Sequence, residues 1–175
     1  MWFFLLAELR GFSLLLRAFA GAPAWPPELF RAGRGQLDSR GGLLLTVALL
    51  SSGWLAARAV HAVRRGRPRQ ASGWLLAALL LALVYVGLKL HEYGRLAALG
   101  LDIEHDTFFT LYWCLTGFHF LHVLLGLLIL GWLAQACWRR CYTPQACSGL
   151  ESGVLYWHMV DLVWVLLFPL VYVLQ

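Results

Sequence analysis

Long apolar runs alternate with short clusters of charge along this chain, and the runs exceed what a soluble core needs. A helix rises about 1.5 Å per residue, so about 20 apolar residues cross a hydrocarbon layer of roughly 30 Å. Five runs fit: about 1–20, 43–63, 72–91, 107–134 and 152–174. The pattern predicts a single transmembrane domain over 1–175, an all-α integral membrane bundle of five helices. Pro and Gly in "APAWPPELF" and "GRGQLD" break the chain between the first two spans. The connection "RRGRPRQ" at 64–70 is short, so the second and third spans should form an antiparallel hairpin. No basic segment precedes the first run and no small-x-small site closes it, so it is expected to stay as a span and not to be cleaved as a signal peptide.

Composition agrees with a membrane setting. Hydrophobic residues make up 61% and charged residues 13%, against about 25% charged in soluble domains. Lys89 is the one lysine among 14 basic residues. Arg64, Arg65, Arg67 and Arg69 share one predicted face with Arg139 and Arg140. Arg31, Arg34, Arg40 and Arg95 share the other, with the acidic residues Glu92, Asp102, Glu104 and Asp106. The compact arginine cluster predicts a cytoplasmic N-terminus and a periplasmic C-terminus. A net charge of +5 then reads as attraction of the inner face to anionic lipid, not as nucleic-acid binding. Cys114, Cys137, Cys141 and Cys147 contain no CxxC pair, and a disulfide framework is not expected.

Ionisable residues inside the spans are costly and point to function or assembly. Glu8 lies in the first span, about 200° around the helix from Arg10, so the two do not pair. A proton site, a contact to a partner and a neutral hydrogen-bonded Glu all remain open for it. Lys89 and Glu92, three apart, are expected to form a snorkelling pair at the end of the third span. His119 and His122 share a face of the fourth span. They suit haem or copper ligation in type, but no other span offers a matching pair, so interhelical hydrogen bonding is favoured. Gly117 and Gly126 would let a neighbouring helix come close. In the fifth span Glu151, His158 and Asp161 form one polar edge, with Asp161 placed to accept from the His158 ring. That edge should face protein. Pro169 is tolerable in a membrane bundle, with a kink. No nucleophile–base set, phosphate loop or complete metal site is visible in the sequence.

Two segments carry a resemblance. "FFTLYWCLTGFHFLHVLLGLLIL" followed by "GLESGVLYWHMVDLVWVLLFPLVYVL" resembles subunit III of the haem–copper (cytochrome c) oxidase superfamily. Thr116, Gly117, His119, His122, Val123 and Gly126 match one motif. Glu151, Gly153, Tyr156, Trp157, His158, Val160, Asp161, Val163 and Trp164 match the next. "PPELF", "HEY" and "LLAELRGF" extend the likeness, with Glu8 at the family's intramembrane glutamate. The chain resembles a short five-helix form without the first two of seven helices, and its C-terminal wording favours the NorE-like branch that accompanies nitric oxide reductase. Arg10 and Arg17 depart from a usually apolar first span.

The resemblance implies a non-catalytic accessory subunit of a respiratory haem–copper oxidoreductase in a bacterial inner membrane. It would support assembly, stability or proton uptake of a catalytic subunit. It implies no cofactor in this chain; haem, with copper or non-haem iron, would belong to partner subunits. Glu8, Glu92, His119, His122, Glu151, His158 and Asp161 then become an intramembrane polar network. The alternative reading is an independent proton-conducting or haem-binding membrane protein.

Overall fold

The computed structural model describes residues 10–13, 17 and 37–173. The expectations for Glu8, for most of the first span and for "PPELF" lie outside the described residues. Four long helices follow: α1 (Ser39–Arg64), α2 (Pro68–Ala98), α3 (Thr107–Trp138) and α4 (Ser148–Phe168). A π-helical turn, Pro169–Val173, continues α4. All four are long and apolar enough to cross a membrane. Residues 10–13 and 17 are also helical. Among the described residues no strand forms beyond an isolated bridge between Thr143 and Ala146.

The helix starts follow local chemistry. The Asp38 carboxylate accepts from the Arg40 amide at the head of α1, and Asp106 accepts from the Phe109 amide (2.8 Å) at the head of α3. Each satisfies an amide that has no partner within its helix. Pro68 opens α2, where its missing N–H costs nothing. α2 runs beyond the expected span end at 91 because its last turns still bury a side chain, Leu96. Pro169 has no N–H to continue the α-helical ladder, and the chain widens there into the π turn.

The helices pack in a ring. α1 lies against α2 and α4, and α3 lies against the same two. Phe12, fully buried, brings the N-terminal helical residues onto α3, with its ring 5.1 Å from Phe118 and 5.2 Å from His122. Large apolar side chains such as Leu80, Leu121, Leu128 and Trp132 point outward. A belt of this kind suits lipid and would be a liability in water. Hydroxyls tie neighbours across the interior: Ser52 donates to the Ala78 carbonyl and Ser72 to the Ala134 carbonyl, each at 2.8 Å. Such bonds, with small residues, stand in for the hydrophobic drive that lipid removes.

Gly126 is the tightest point between α3 and α4. A Cβ there would sit 2.5 Å from the Trp157 ring. At Gly117 no described atom lies within 4 Å of an added Cβ, so of the two expected glycines only Gly126 meets a described helix. Gly126→Val should therefore wedge α3 from the buried Trp157 and cost about 1–3 kcal/mol. Thermal unfolding of the detergent-solubilised chain checks this, with Gly117→Val, which meets no described atom, as the comparison.

Candidate functional site

The interior holds a charge. Lys89 on α2 is fully buried, and its ammonium donates to Glu92 Oε2 (3.0 Å), Tyr112 Oη (3.0 Å) and Tyr172 Oη (2.8 Å). An ammonium has three protons, and here each has an acceptor. The two tyrosines pass the interaction on: Tyr112 and Tyr172 both donate to Glu92 Oε1, at 3.0 and 2.7 Å. The ammonium and carboxylate are thus joined directly and through two phenols. The rings of Tyr93, Tyr112, Trp164 and Tyr172 surround the ammonium, with centroids 4.9 to 5.5 Å away. Aromatic faces at this distance attract a cation, more so where water is excluded.

The sequence predicts a snorkelling Lys89; the structure turns it inward. The reason is the ring of acceptors from other elements, Tyr112 from α3 and Tyr172 from the π turn, which one helix's pattern does not reveal. The signal that could have found it lies on α2. Tyr85, Lys89 and Glu92 follow at i, i+4 and i+7, one face of a helix, and Lys89 is the sole lysine. Trp164 extends the cluster to α1 by donating to Thr46 Oγ1 at 3.0 Å. All four helices therefore contribute.

His119 lies beside this cluster, fully buried and stacked on Trp164 at 5.3 Å. Tyr85 meets its edge at 6.3 Å. Neither ring nitrogen of His119 has a hydrogen-bond partner among the described residues, so aromatic packing stands where interhelical bonding was expected. His122 places Nδ1 2.8 Å from the Phe118 carbonyl of its own helix. Both rings pack against Phe12. Among the described residues no group of three or more His, Cys, Asp or Glu could hold a metal ion.

The polar edge of α4 faces α1, but its members have different surroundings. Asp161 is buried with Oδ2 3.6 Å from His158 Nδ1, while the His158 side chain is 42% exposed. Gly53 on α1 makes room: a Cβ there would run into the Asp161 carboxylate. Glu151 is not inside the bundle. At the end of α4 its Oε1 accepts from Arg64 Nε (3.1 Å) and Nη2 (2.8 Å), and both side chains are substantially exposed. The Cys147 thiol also bonds that oxygen at 3.1 Å, which holds the thiol above the usual cysteine pKa. Glu92, His119 and Asp161 are thus interior groups, His122 and His158 lie at its margin, and Glu151 is an interfacial clasp.

The arrangement does structural chemistry. Its charges are matched in pairs, and the Lys89, Tyr112 and Tyr172 donors aim at protein acceptors. Glu92 alone of the ion-paired cluster also borders a crevice of about 200 Å³, lined by Asp38, Leu45, Leu88, His91 and Arg95.

Comparison with known proteins gives a consistent result. A profile of the family described as cytochrome c oxidase subunit III matches residues 22–175. The chain is 32% identical to the quinol oxidase subunit 3 of Bacillus spizizenii, covering 99% of this chain and 84% of that one. It is 31% identical to the cytochrome c oxidase subunit 3 of Synechocystis, covering 98% and 72%. It is 29% identical to the cytochrome bo(3) ubiquinol oxidase subunit 3 of Pseudomonas aeruginosa, covering 93% and 74%.

Removing one member of a buried ion pair leaves the other charge uncompensated. Lys89→Met should cost about 3–5 kcal/mol. Lys89→Met with Glu92→Gln should recover part of it. Denaturant titration of the single and double variants in detergent measures the difference. Equal stability of the two would show that Glu92 carries no uncompensated charge once Lys89 is gone.

Proposed function

The chain belongs to the cytochrome c oxidase subunit III family, and from this we propose that it is a non-catalytic accessory subunit that stabilises the catalytic subunit of a respiratory haem–copper oxidase. The observation that carries the reading is the closed Lys89–Glu92–Tyr112–Tyr172 network. This network is spent on holding helices together, with its acceptors and donors turned toward one another. Haem and metal chemistry would then reside in the partner. The named relatives are subunits of quinol and cytochrome c oxidases, which supports an oxidase partner. A NorE-like role beside a nitric oxide reductase rests on the C-terminal sequence resemblance alone. For proton uptake, the supporting feature is the crevice that Glu92 helps to line.

The protein is a multi-pass membrane protein. Its 65–67 turn and its 139–147 connection lie at one end of the bundle: Glu151 clasps Arg64, and Arg69 stacks over Trp138 at 5.8 Å. We place this arginine-rich end in the cytoplasm of a bacterial cell, following the charge rule. The experiment is a mild-detergent pull-down of the tagged chain from its native membrane, with the retained proteins identified by mass spectrometry. Recovery of an oxidase catalytic subunit is expected. Recovery of a nitric oxide reductase would move the chain to the other branch. Recovery of the chain alone at every detergent strength, with a Soret band in the purified protein, would overturn the accessory role.

A further inference from the structure

The phenols of the interior differ in what receives their protons. Tyr112 and Tyr172 both donate to Glu92 Oε1, at 3.0 and 2.7 Å, and a carboxylate within hydrogen-bond reach is a base. Tyr93 donates to a hydroxyl, Thr116 Oγ1, at 3.0 Å. Tyr85 is fully buried, and its Oη has no hydrogen-bond partner among the described residues. The difference matters for one kind of chemistry. A phenol that loses an electron becomes strongly acidic, and it settles as a neutral radical only where its proton has somewhere to go. Tyr112 and Tyr172 have that acceptor in place; Tyr85 and Tyr93 do not.

Lys89 sharpens the distinction. Its ammonium lies 5.4 Å from the Trp164 ring and 4.9 Å from the Tyr93 ring. A second positive charge so close is repelled, so neither ring keeps a hole as a radical cation. Loss of electron and proton together avoids that repulsion. The proton also has a way out. Glu92 lines the crevice of about 200 Å³ with His91 and Asp38, so a proton taken up by Glu92 can pass to these groups and the cluster keeps its charge.

A path for the electron is present as well. The Tyr112 ring lies 6.4 Å from Tyr93 and 6.1 Å from Trp113, and those two rings lie 4.6 Å from each other. These are contact distances for aromatic pairs, short enough for an electron to hop. Tyr93 and Trp113 are only partly buried, so the stack runs from the surface of the bundle to the enclosed phenol. On a surface that faces lipid, the one-electron oxidant to be met is a peroxyl radical on an acyl chain.

We propose that Tyr112 and Tyr172 form a redox-active pair that gives one electron to a lipid peroxyl radical through Tyr93 and Trp113. One phenol loses the electron, its O–H bond breaks, and the proton goes to Glu92. The peroxyl radical gains the electron, becomes a hydroperoxide anion and takes a proton from interfacial water. The products are a lipid hydroperoxide, hydroxide and a phenoxyl radical enclosed beside the Lys89 ammonium. This activity is independent of which catalytic subunit the chain accompanies.

The test is EPR spectroscopy of the full chain in lipid nanodiscs, frozen after exposure to a lipophilic azo initiator in air, which supplies peroxyl radicals. Wild type is expected to give a neutral tyrosyl signal that narrows when the chain carries ring-deuterated tyrosine. The signal should form more slowly in D2O, because the phenolic proton moves with the electron. Y112F/Y172F should lose the signal, and Y85F should keep it. E92Q still offers a carbonyl to both phenols but no base, and it should lower the yield. The labelling and D2O readouts use wild type alone, so a folding defect in a variant would not leave the question open. A tryptophan radical in place of tyrosyl, no protein radical at all, or equal rates in D2O and water would overturn the proposal. So would a full signal in Y112F/Y172F or its loss in Y85F. An undiminished yield in E92Q would overturn Glu92 as the proton acceptor.

Discussion

One ammonium group constrains the bundle. Moving a charge out of water costs several kcal/mol even after relaxation, and Lys89 is wholly enclosed by protein. Its compensation has to come from outside its own helix, because α2 alone supplies only Glu92 as an acceptor. α3 supplies Tyr112 and the π turn supplies Tyr172. A slip of one residue along any of these elements turns its side chains by about 100°. It would leave the ammonium facing hydrocarbon with an acceptor missing. In lipid, apolar packing discriminates poorly between registers, since tails are as apolar as leucine. A buried charge with a fixed set of acceptors does discriminate.

Pro169 belongs to the same constraint. As a helix interior residue it removes a hydrogen bond and obstructs the preceding turn. Here the ladder opens into a π turn from Pro169 to Val173, and this turn carries Tyr172. The Tyr172 ring stacks on Phe168 and its hydroxyl reaches both Lys89 and Glu92. A distortion that would weaken an isolated helix thus presents the phenol that completes the network. Trp164, two turns earlier, joins ammonium, imidazole and α1 hydroxyl by different parts of one indole: its face over Lys89 and His119, its N–H to Thr46.

Much of this architecture is legible in the sequence, because span length and apolarity are one-dimensional properties. The short 64–70 connection announces the α1–α2 hairpin, and the spacing of His158 and Asp161 announces their proximity. The polar edge of α4 is readable as a stripe facing protein, and α1 is the helix it meets. What the sequence does not convey is depth. Glu151 and Asp161 share a face, yet one is an exposed clasp at the helix end and the other a buried carboxylate against Gly53. Lys89 is misjudged for the same reason. Whether a cation near a helix end snorkels or turns inward depends on acceptors that arrive from positions 112 and 172, far along the chain. His119 is a further case, since its stacking on Trp164 depends on the register of α3 against α4.

The division of labour between lysine and arginine follows from their shapes. Arginine's flat fork stacks on indoles and presents several donors to one oxyanion. At the arginine-rich end it does both: Arg58 lies between Trp54 and Trp74, Arg69 over Trp138, and Arg64 gives two nitrogens to one Glu151 oxygen. The interior site has other requirements. Three oxygens converge on one point inside a cage of four rings. A compact ammonium with three donors saturates that set and leaves no proton over. A guanidinium would bring five donors in a plane to the same three acceptors, leaving buried N–H groups unpaired at about 1–3 kcal/mol each, or more because they are charged. The use of a single lysine in a chain otherwise basic through arginine is therefore a consequence of the acceptor geometry around position 89.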